Sequence, residues 1–212
     1  WYMQHHRQLP WRETTDPYLI WLSEIILQQT QVVTGEGYYH RIAQRLPTVA
    51  DMASAPLDEL LRLWQGMGYY SRARNMHFAA QQVVNDFGGQ FPNTYVQLSS
   101  LKGVGPYTAA AIASIAFNLP YAVVDGNVFR VLSRLYAIDT PIDSTLGKKT
   151  FDALANQLLD VAQPALHNQS MMELGALVCK AATPLCNECP LADHCLARQA
   201  NAQLSFPVKA KK

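Results

Sequence analysis

Apolar residues recur along this chain at the three- and four-residue spacing of amphipathic helices, and no stretch alternates apolar with polar positions as a half-buried strand would. The pattern predicts an all-α protein. The first strong helix opens at Asp16-Pro17, where Asp16 can cap free amides and Pro17 suits the first turn, and it runs through Tyr18, Leu19, Leu22, Ile25 and Ile26. Further helices are expected around 37–45, 56–65 and 71–87, the last closed by Gly88-Gly89, then at 94–101, 106–117, 127–138, 145–161 and 167–179. No repeat or low-complexity stretch interrupts them, and the one linker-like segment follows Phe206.

With 212 residues, 49% of them hydrophobic and 16% charged, the chain can bury the core of one or two compact domains. No apolar run approaches the roughly 20 residues needed to cross a bilayer, so no membrane role is expected. A formal net charge of +1 argues, as an average, against a nucleic-acid partner. The average hides local charge if Arg72, Arg74, Lys102, Lys148, Lys149, Lys180, Lys209, Lys211 and Lys212 share a face while Asp51, Asp58 and Glu59 lie elsewhere. A merely solvated surface is the plainer alternative. Because the chain starts at Trp1 and ends in a lysine-rich stub, it is expected to be part of something longer.

The four cysteines of the chain, Cys179, Cys186, Cys189 and Cys195, fall within one short segment spaced C-x6-C-x2-C-x5-C. Such crowding calls for a common cause. Two disulfides fit poorly, since no segment reads as a secretory leader and a reducing cytosol is the default. Zinc remains open, although its structural sites usually pair two short knuckles and only Cys186 and Cys189 are that close. An iron-sulfur cluster also takes four thiolates and tolerates uneven spacing, which favours it.

Three further features carry chemistry. Leu101 to Thr108, with Gly103-Val104-Gly105 at its centre, reads as two short helices joined by a tight glycine turn, whose amides could converge on one phosphate. A plain packing turn is the alternative. Asp125, in Val124-Asp125-Gly126-Asn127, sits at the mouth of a helix, where amides and the helix dipole are expected to lower its pKa and keep it anionic. Glu24 lies in Trp21 to Gln31, a helix apolar around most of its circumference; partial desolvation there would raise its pKa and make it a proton donor. Two carboxyls pushed apart in this way are the pattern of glycosidic-bond cleavage.

Together these features resemble the adenine DNA glycosylases of the MutY type, within the endonuclease III, or helix-hairpin-helix glycosylase, superfamily. The likeness runs from Leu9-Pro10-Trp11-Arg12 through Trp21 to Gln31, Gly66 to Asn75, the hairpin, Val124 to Arg130 and Met172 to Ala176, to the four cysteines. The resemblance implies a 4Fe-4S cluster on Cys179, Cys186, Cys189 and Cys195. It also implies two helical modules with the active site in the cleft between them, Glu24 on one wall and Asp125 on the other. The modules would be a six-helix barrel with the hairpin at 13–118 and a cluster domain formed by 1–12 with 119–206; 207–212 would lead to a C-terminal domain.

In that family a base is flipped out of the duplex and released by hydrolysis. Glu24 would protonate the five-membered ring of adenine, and Asp125 would stabilise the oxocarbenium ion, with Asn127 supporting the pair. Tyr107 stands where strand-cleaving relatives carry a Schiff-base lysine, and Lys102 does not match that position, so the product is expected to be an abasic site without efficient strand scission. Gln29 and Tyr69 match residues inserted into the duplex, with Gln28 and Thr30 beside Gln29. Trp11, Arg12, Leu27 and Gln169 match positions around the flipped adenine, and Gly103, Val104 and Gly105 match the phosphate-binding turn.

The expected partner is double-stranded DNA with adenine opposite 8-oxoguanine or guanine, bound by a monomer in the bacterial cytoplasm, or in the nucleus if the protein is eukaryotic. Two rivals are a thymine glycosylase acting on T opposite G and a non-catalytic iron-sulfur DNA-binding module.

Overall fold

A computed structural model describes residues 1–210; Lys211 and Lys212, and with them the end of the expected linker and part of the expected basic face, lie outside the described residues. Among the described residues the regular elements are α-helices and short 3-10 turns, without a strand. They are α1 (Tyr2–His5), α2 (Pro17–Leu27), α3 (Val32–Arg45), α4 (Val49–Ser54), α5 (Leu57–Leu63), α6 (Ser71–Phe87), α7 (Tyr95–Ser100), α8 (Pro106–Phe117), α9 (Gly126–Leu135), α10 (Thr145–Leu158), α11 (Pro164–Leu177) and α12 (Leu196–Gln199). The chain divides into two compact units, one of Gln8–Phe117 and one of Trp1–Arg7 with the chain from Asn118 onward. No helix is long and apolar enough to cross a membrane among the described residues.

In the unit of 8–117, α2 is the centre. Asp16 caps it through Oδ1, which accepts from the Tyr18 amide at 2.9 Å. Tyr18, Ile20, Trp21, Leu22, Ile25 and Ile26 are all buried, and α3 and α8 pack on this helix. Small residues let the neighbours approach: Ala109, Ala110, Ala111 and Ala113 of α8 are buried. In α3 a Cβ added to Gly35 would lie 2.9 Å from Leu27 Cδ2. This explains why α3 begins five residues before the expected 37: Gly35, a weak helix former, serves packing on α2 rather than delaying the helix. Helix α4 is absent from the sequence pattern because it is too short to show a period; its start is fixed by a capping box in which the Asp51 amide donates to Thr48 Oγ1 and the Thr48 amide to Asp51 Oδ2.

In the other unit, α9 has two buried stripes. Val128 and Leu132 pack with Phe151 and Ala155 of α10, while Val131 packs with Leu174 and Val178 at the α11 end. The N-terminal segment closes this unit through one ion pair. Glu173 of α11 is fully buried; its Oε1 accepts from the Arg7 amide at 2.8 Å and Nε at 3.0 Å, and Oε2 from Nη2 at 2.7 Å. A forked, charge-assisted pair of this kind holds its geometry better than a point contact. Glu173→Ala removes these acceptors and is expected to destabilise the fold by about 2–3 kcal/mol, measured by denaturant unfolding; a change below 0.5 kcal/mol would show that residues 1–7 are held by their other contacts and not by this ion pair.

Candidate active site and cysteine centre

Glu24 is half-buried in the middle of α2, whose other faces are occupied by buried apolar side chains. Leu27 ends the helix, and Gln28, Gln29 and Thr30 form the turn that follows, with Gln28 Nε2 donating to Thr108 Oγ1 of α8 at 3.5 Å. Tyr107, half-buried, stands in the first turn of the same α8. Gln29 is exposed at φ 57°, and Tyr69, 64% exposed, has φ 48°. Left-handed backbone at a residue with a Cβ costs roughly 1–2 kcal/mol and persists only where surroundings impose it. These are the two residues expected to enter the duplex.

The glycine turn lies between α7 and α8. Gly103 has φ 79°, and a Cβ there would meet Asn75 Cβ at 2.9 Å, so both backbone and space require glycine. Val104 is buried as the anchor of the turn, while Gly103 and Gly105 are exposed, as is Lys102, whose amide donates to Gln82 Oε1 at 2.8 Å. The first amides of α8 have no partner within their own helix, which leaves a donor set suited to an anion. Trp11 is buried edge-on against Tyr39, with ring centroids 5.3 Å apart, and half-buried Arg12 ends the same 3-10 turn.

The other unit carries Asp125, Asn127, Gln169 and the cysteines. Asp125 caps α9: its Oδ1 accepts from the Val128 amide at 2.8 Å and its Oδ2 from Asn127 Nδ2 at 2.8 Å. Asn127 Oδ1 in turn accepts from Arg130 Nη2 at 2.8 Å, while Arg130 Nε donates to the Cys179 carbonyl at 2.6 Å. An unbroken hydrogen-bonded path therefore joins the carboxylate to the first cysteine. Glycine at 175 permits it, because a Cβ there would lie 2.5 Å from Asn127 Cβ. Gln169 of α11 accepts from the Tyr2 hydroxyl at 3.1 Å.

Two expectations need correction. Burial pushes the Asp125 carboxyl above its ordinary value, outweighing the lowering pull of the Val128 and Asn127 donors and of the Arg130 charge. The cap is as expected, but the low pKa is not, since desolvation was invisible in sequence. Arg72 is buried rather than part of a basic face: its Nη1 donates to the carbonyls of Ile25, Ile26 and Gln28. Arg74, Lys102, Lys148, Lys149, Lys180 and Lys209 are exposed.

All four cysteines are unpaired and half-buried, and they line one cavity together with Val178, Leu185 and Arg134. Among the described residues no three His, Cys, Asp or Glu side chains form the tight group that a lone ion requires. The Cys189 thiol is pushed up by burial and, to a smaller degree, by Cys179, Cys195 and Cys186 beside it, against a lowering bond from the Leu191 amide. Buried Arg134 donates to Cys179 Sγ at 3.4 Å and to the Lys180 carbonyl at 2.7 Å. Soft thiols around a cavity with a cation beside them suit a group larger than an ion.

Residues 22–156 match the model of the HhH-GPD superfamily of base excision DNA repair proteins. The chain belongs to that superfamily. Within the HhH-GPD proteins it is 49% identical over 208 residues to a human protein named adenine DNA glycosylase, covering 94% of this chain and 38% of the relative. It is 39% identical over 219 residues to an adenine DNA glycosylase of Buchnera aphidicola subsp. Baizongia pistaciae, covering 100% of this chain and 60% of that one. The chain thus spans only part of the length of these relatives. A solved thermostable thymine-DNA glycosylase superposes with a TM-score of 0.86 at 28% identity, covering 94% of this chain and 92% of that one.

Arg130, Arg134 and Thr108 are HhH-GPD residues to which the sequence reading gave no role, because an arginine bound to carbonyls looks in sequence like any surface arginine. Their only signal is position, Arg130 three residues after Asn127 and one turn along α9. Since the folded Asp125 pKa lies above the unfolded one, this residue favours the fold at acid pH and loses that contribution as pH rises from the ordinary carboxylate range through its raised value. Asn127→Ala removes an opposing donor, so the Asp125 midpoint is expected to move further up in a carboxyl 13C NMR titration; an unchanged midpoint would show that Asn127 does not stabilise the anion.

Proposed function

We propose that this chain is the catalytic part of a monofunctional adenine DNA glycosylase that removes adenine opposite 8-oxoguanine or guanine in double-stranded DNA. The observation that carries the proposal is Asp125, held at the mouth of α9 by the Val128 amide and the Asn127 side chain, in a chain 49% identical to an adenine DNA glycosylase. Adenine is a poor leaving group as an anion. Glu24 in its acid form protonates the flipped base so that it departs neutral, and ionised Asp125 stabilises the oxocarbenium ion left on the sugar. Asn127 keeps one Asp125 oxygen oriented and leaves lone pairs for the cation. Tyr107 has no amine with which to form a Schiff base, so the strand stays intact.

In this reading the turn at Gly103, Val104 and Gly105 binds a phosphate, Gln29 and Tyr69 fill the space of the extruded base, and Gln28 and Thr30 shape the turn that presents Gln29. Trp11, Arg12, Leu27 and Gln169 surround the adenine. Cys179, Cys186, Cys189 and Cys195 hold a 4Fe-4S cluster, which supplies structural order and charge to the loop when bound. The protein acts as a monomer with the cell's DNA, in the nucleoid of a bacterium or the nucleus of a eukaryote.

The thymine-DNA glycosylase likeness supports a second reading, release of T opposite G. The test is single-turnover reaction on duplexes with A opposite 8-oxoguanine, A opposite G and T opposite G, scored before and after hot alkali. Alkali-dependent breaks at A alone are expected; breaks at T would replace the adenine reading, and breaks without alkali would overturn the role of Tyr107. Asp125→Asn is expected to lower base release by at least about 1,000-fold while leaving DNA affinity within a few-fold. Because the reaction needs Asp125 ionised and its pKa is raised, the acid limb of the rate profile should lie above the ordinary carboxylate range.

Protein purified without oxygen is expected to contain about four irons per chain, with Cys189→Ser reducing that content. Stoichiometric zinc in place of iron would overturn the cluster assignment.

A further inference from the structure

The turn after α2 and the turn before α6 carry Gln29 and Tyr69, two of the five non-glycine residues with left-handed backbone among the described residues, and one buried guanidinium joins those turns. Arg72, in the first turn of α6, is 9% exposed. Its Nη1 donates to Ile25 O at 3.2 Å, Ile26 O at 2.9 Å and Thr30 Oγ1 at 3.2 Å, and also to Gln28 O. The carbonyls of Ile25 and Ile26 belong to the last turn of α2 and that of Gln28 to its C-cap, where a cation is favoured; Ile25 O also accepts from the Gln28 amide at 3.4 Å. Its Nη2 donates to Gly68 O at 3.4 Å, an oxygen that also accepts from the buried Trp64 indole at 3.0 Å.

The guanidinium lies over the Trp64 ring at 5.2 Å and the Tyr69 ring at 5.6 Å. Among the described residues Arg72 has no carboxylate partner within ion-pair distance, and its Nε–H is buried without an acceptor. A side chain kept charged and incompletely satisfied among backbone oxygens is not there for an ordinary surface ion pair. Lysine could reach one of these carbonyls but not span both turns, because the ammonium is a point donor and the guanidinium a fork.

We propose that Arg72 is the positioning residue for base extrusion: by binding the Gln28–Thr30 turn and the Gly68–Tyr69 turn to one cation, it fixes the separation at which Gln29 and Tyr69 enter the duplex. The proposal rests on the reading that these two side chains fill the place of the flipped adenine. Arg72 touches no reacting atom; it acts through the two inserted residues. Its importance should therefore depend on whether a partner base has to be held while the adenine leaves the stack.

The experiment compares wild type, Arg72→Lys, Arg72→Met and Gln29→Ala/Tyr69→Ala with and without Arg72→Met. Single-turnover excision is measured on adenine opposite 8-oxoguanine and on adenine opposite a tetrahydrofuran abasic analogue, with thermal unfolding in parallel. On the first duplex Arg72→Met is expected to slow excision by roughly 10- to 100-fold, the scale at which small misplacements act, and Arg72→Lys by less. On the second duplex both should lie within a few-fold of wild type, and Arg72→Met should add nothing to the Gln29→Ala/Tyr69→Ala protein. Equal slowing on both duplexes, a full multiplicative loss in the doubly substituted background, or unchanged rates would overturn the proposal. If Arg72→Met does not fold, Arg72→Lys decides alone: selective slowing on the 8-oxoguanine duplex supports the proposal, and wild-type rates on both overturn it. A wild type inactive on both duplexes would instead overturn the glycosylase reading itself.

Discussion

Every helix leaves its last four carbonyls without a partner inside the helix, and a molecule built of helices and loops must find donors for those it buries. This chain answers with arginine. Arg72 serves the end of α2, half-buried Arg130 reaches the carbonyls of Gly175 and Cys179 near the end of α11, and buried Arg134 serves those of Lys180, Ala181 and Gln203 around the cysteine segment. Among the described residues none of the three forms an ion pair with a carboxylate. Each charge is thereby left to act on what lies beside it: the turns of Gln29 and Tyr69, a buried aspartate, and a set of thiols.

The second case shows how such a charge is used. In the proposed reaction Asp125 acts as an anion, yet its burial favours the neutral acid. The fold opposes that with a cap amide, the Asn127 amide side chain and the nearby Arg130, while Arg130 is itself held by carbonyls on α9 and α11. A dry carboxylate stabilises a cation more strongly than a hydrated one, so under the proposed function the opposition between burial and donors would tune both reactivity and working pH. The tight passage at Gly175 belongs to the same arrangement, since any side chain there would displace Asn127.

What the sequence disclosed follows from the range of the forces involved. The cap at Asp16, the helix from Ser71 to the left-handed Gly88, and the turn at Gly103 are local events, governed by residues within one or two turns, and they could be read directly. The start of α3 could not, because Gly35 answers to Leu27 on another helix. Nor could α4, whose six residues are too few to show a period. Cysteine spacing announced a shared centre, but the cavity that the thiols line is a property of the folded loop. Asp125 and Glu24 were found by their unusual settings, whereas Arg72 and Arg130 stayed hidden because their partners are backbone atoms that any sequence would supply.

The division of the chain gives its synthesis an order. One compact unit is formed from Gln8–Phe117, an uninterrupted run, while the other needs Trp1–Arg7 together with the chain from Asn118 onward. On a ribosome the first unit can therefore finish folding while Arg7 still waits for Glu173, and the cysteine segment emerges later than both. The thiols of Cys179, Cys186, Cys189 and Cys195 can therefore gather only after the run that carries Glu24 has left the ribosome, so the molecule is built outward from its middle.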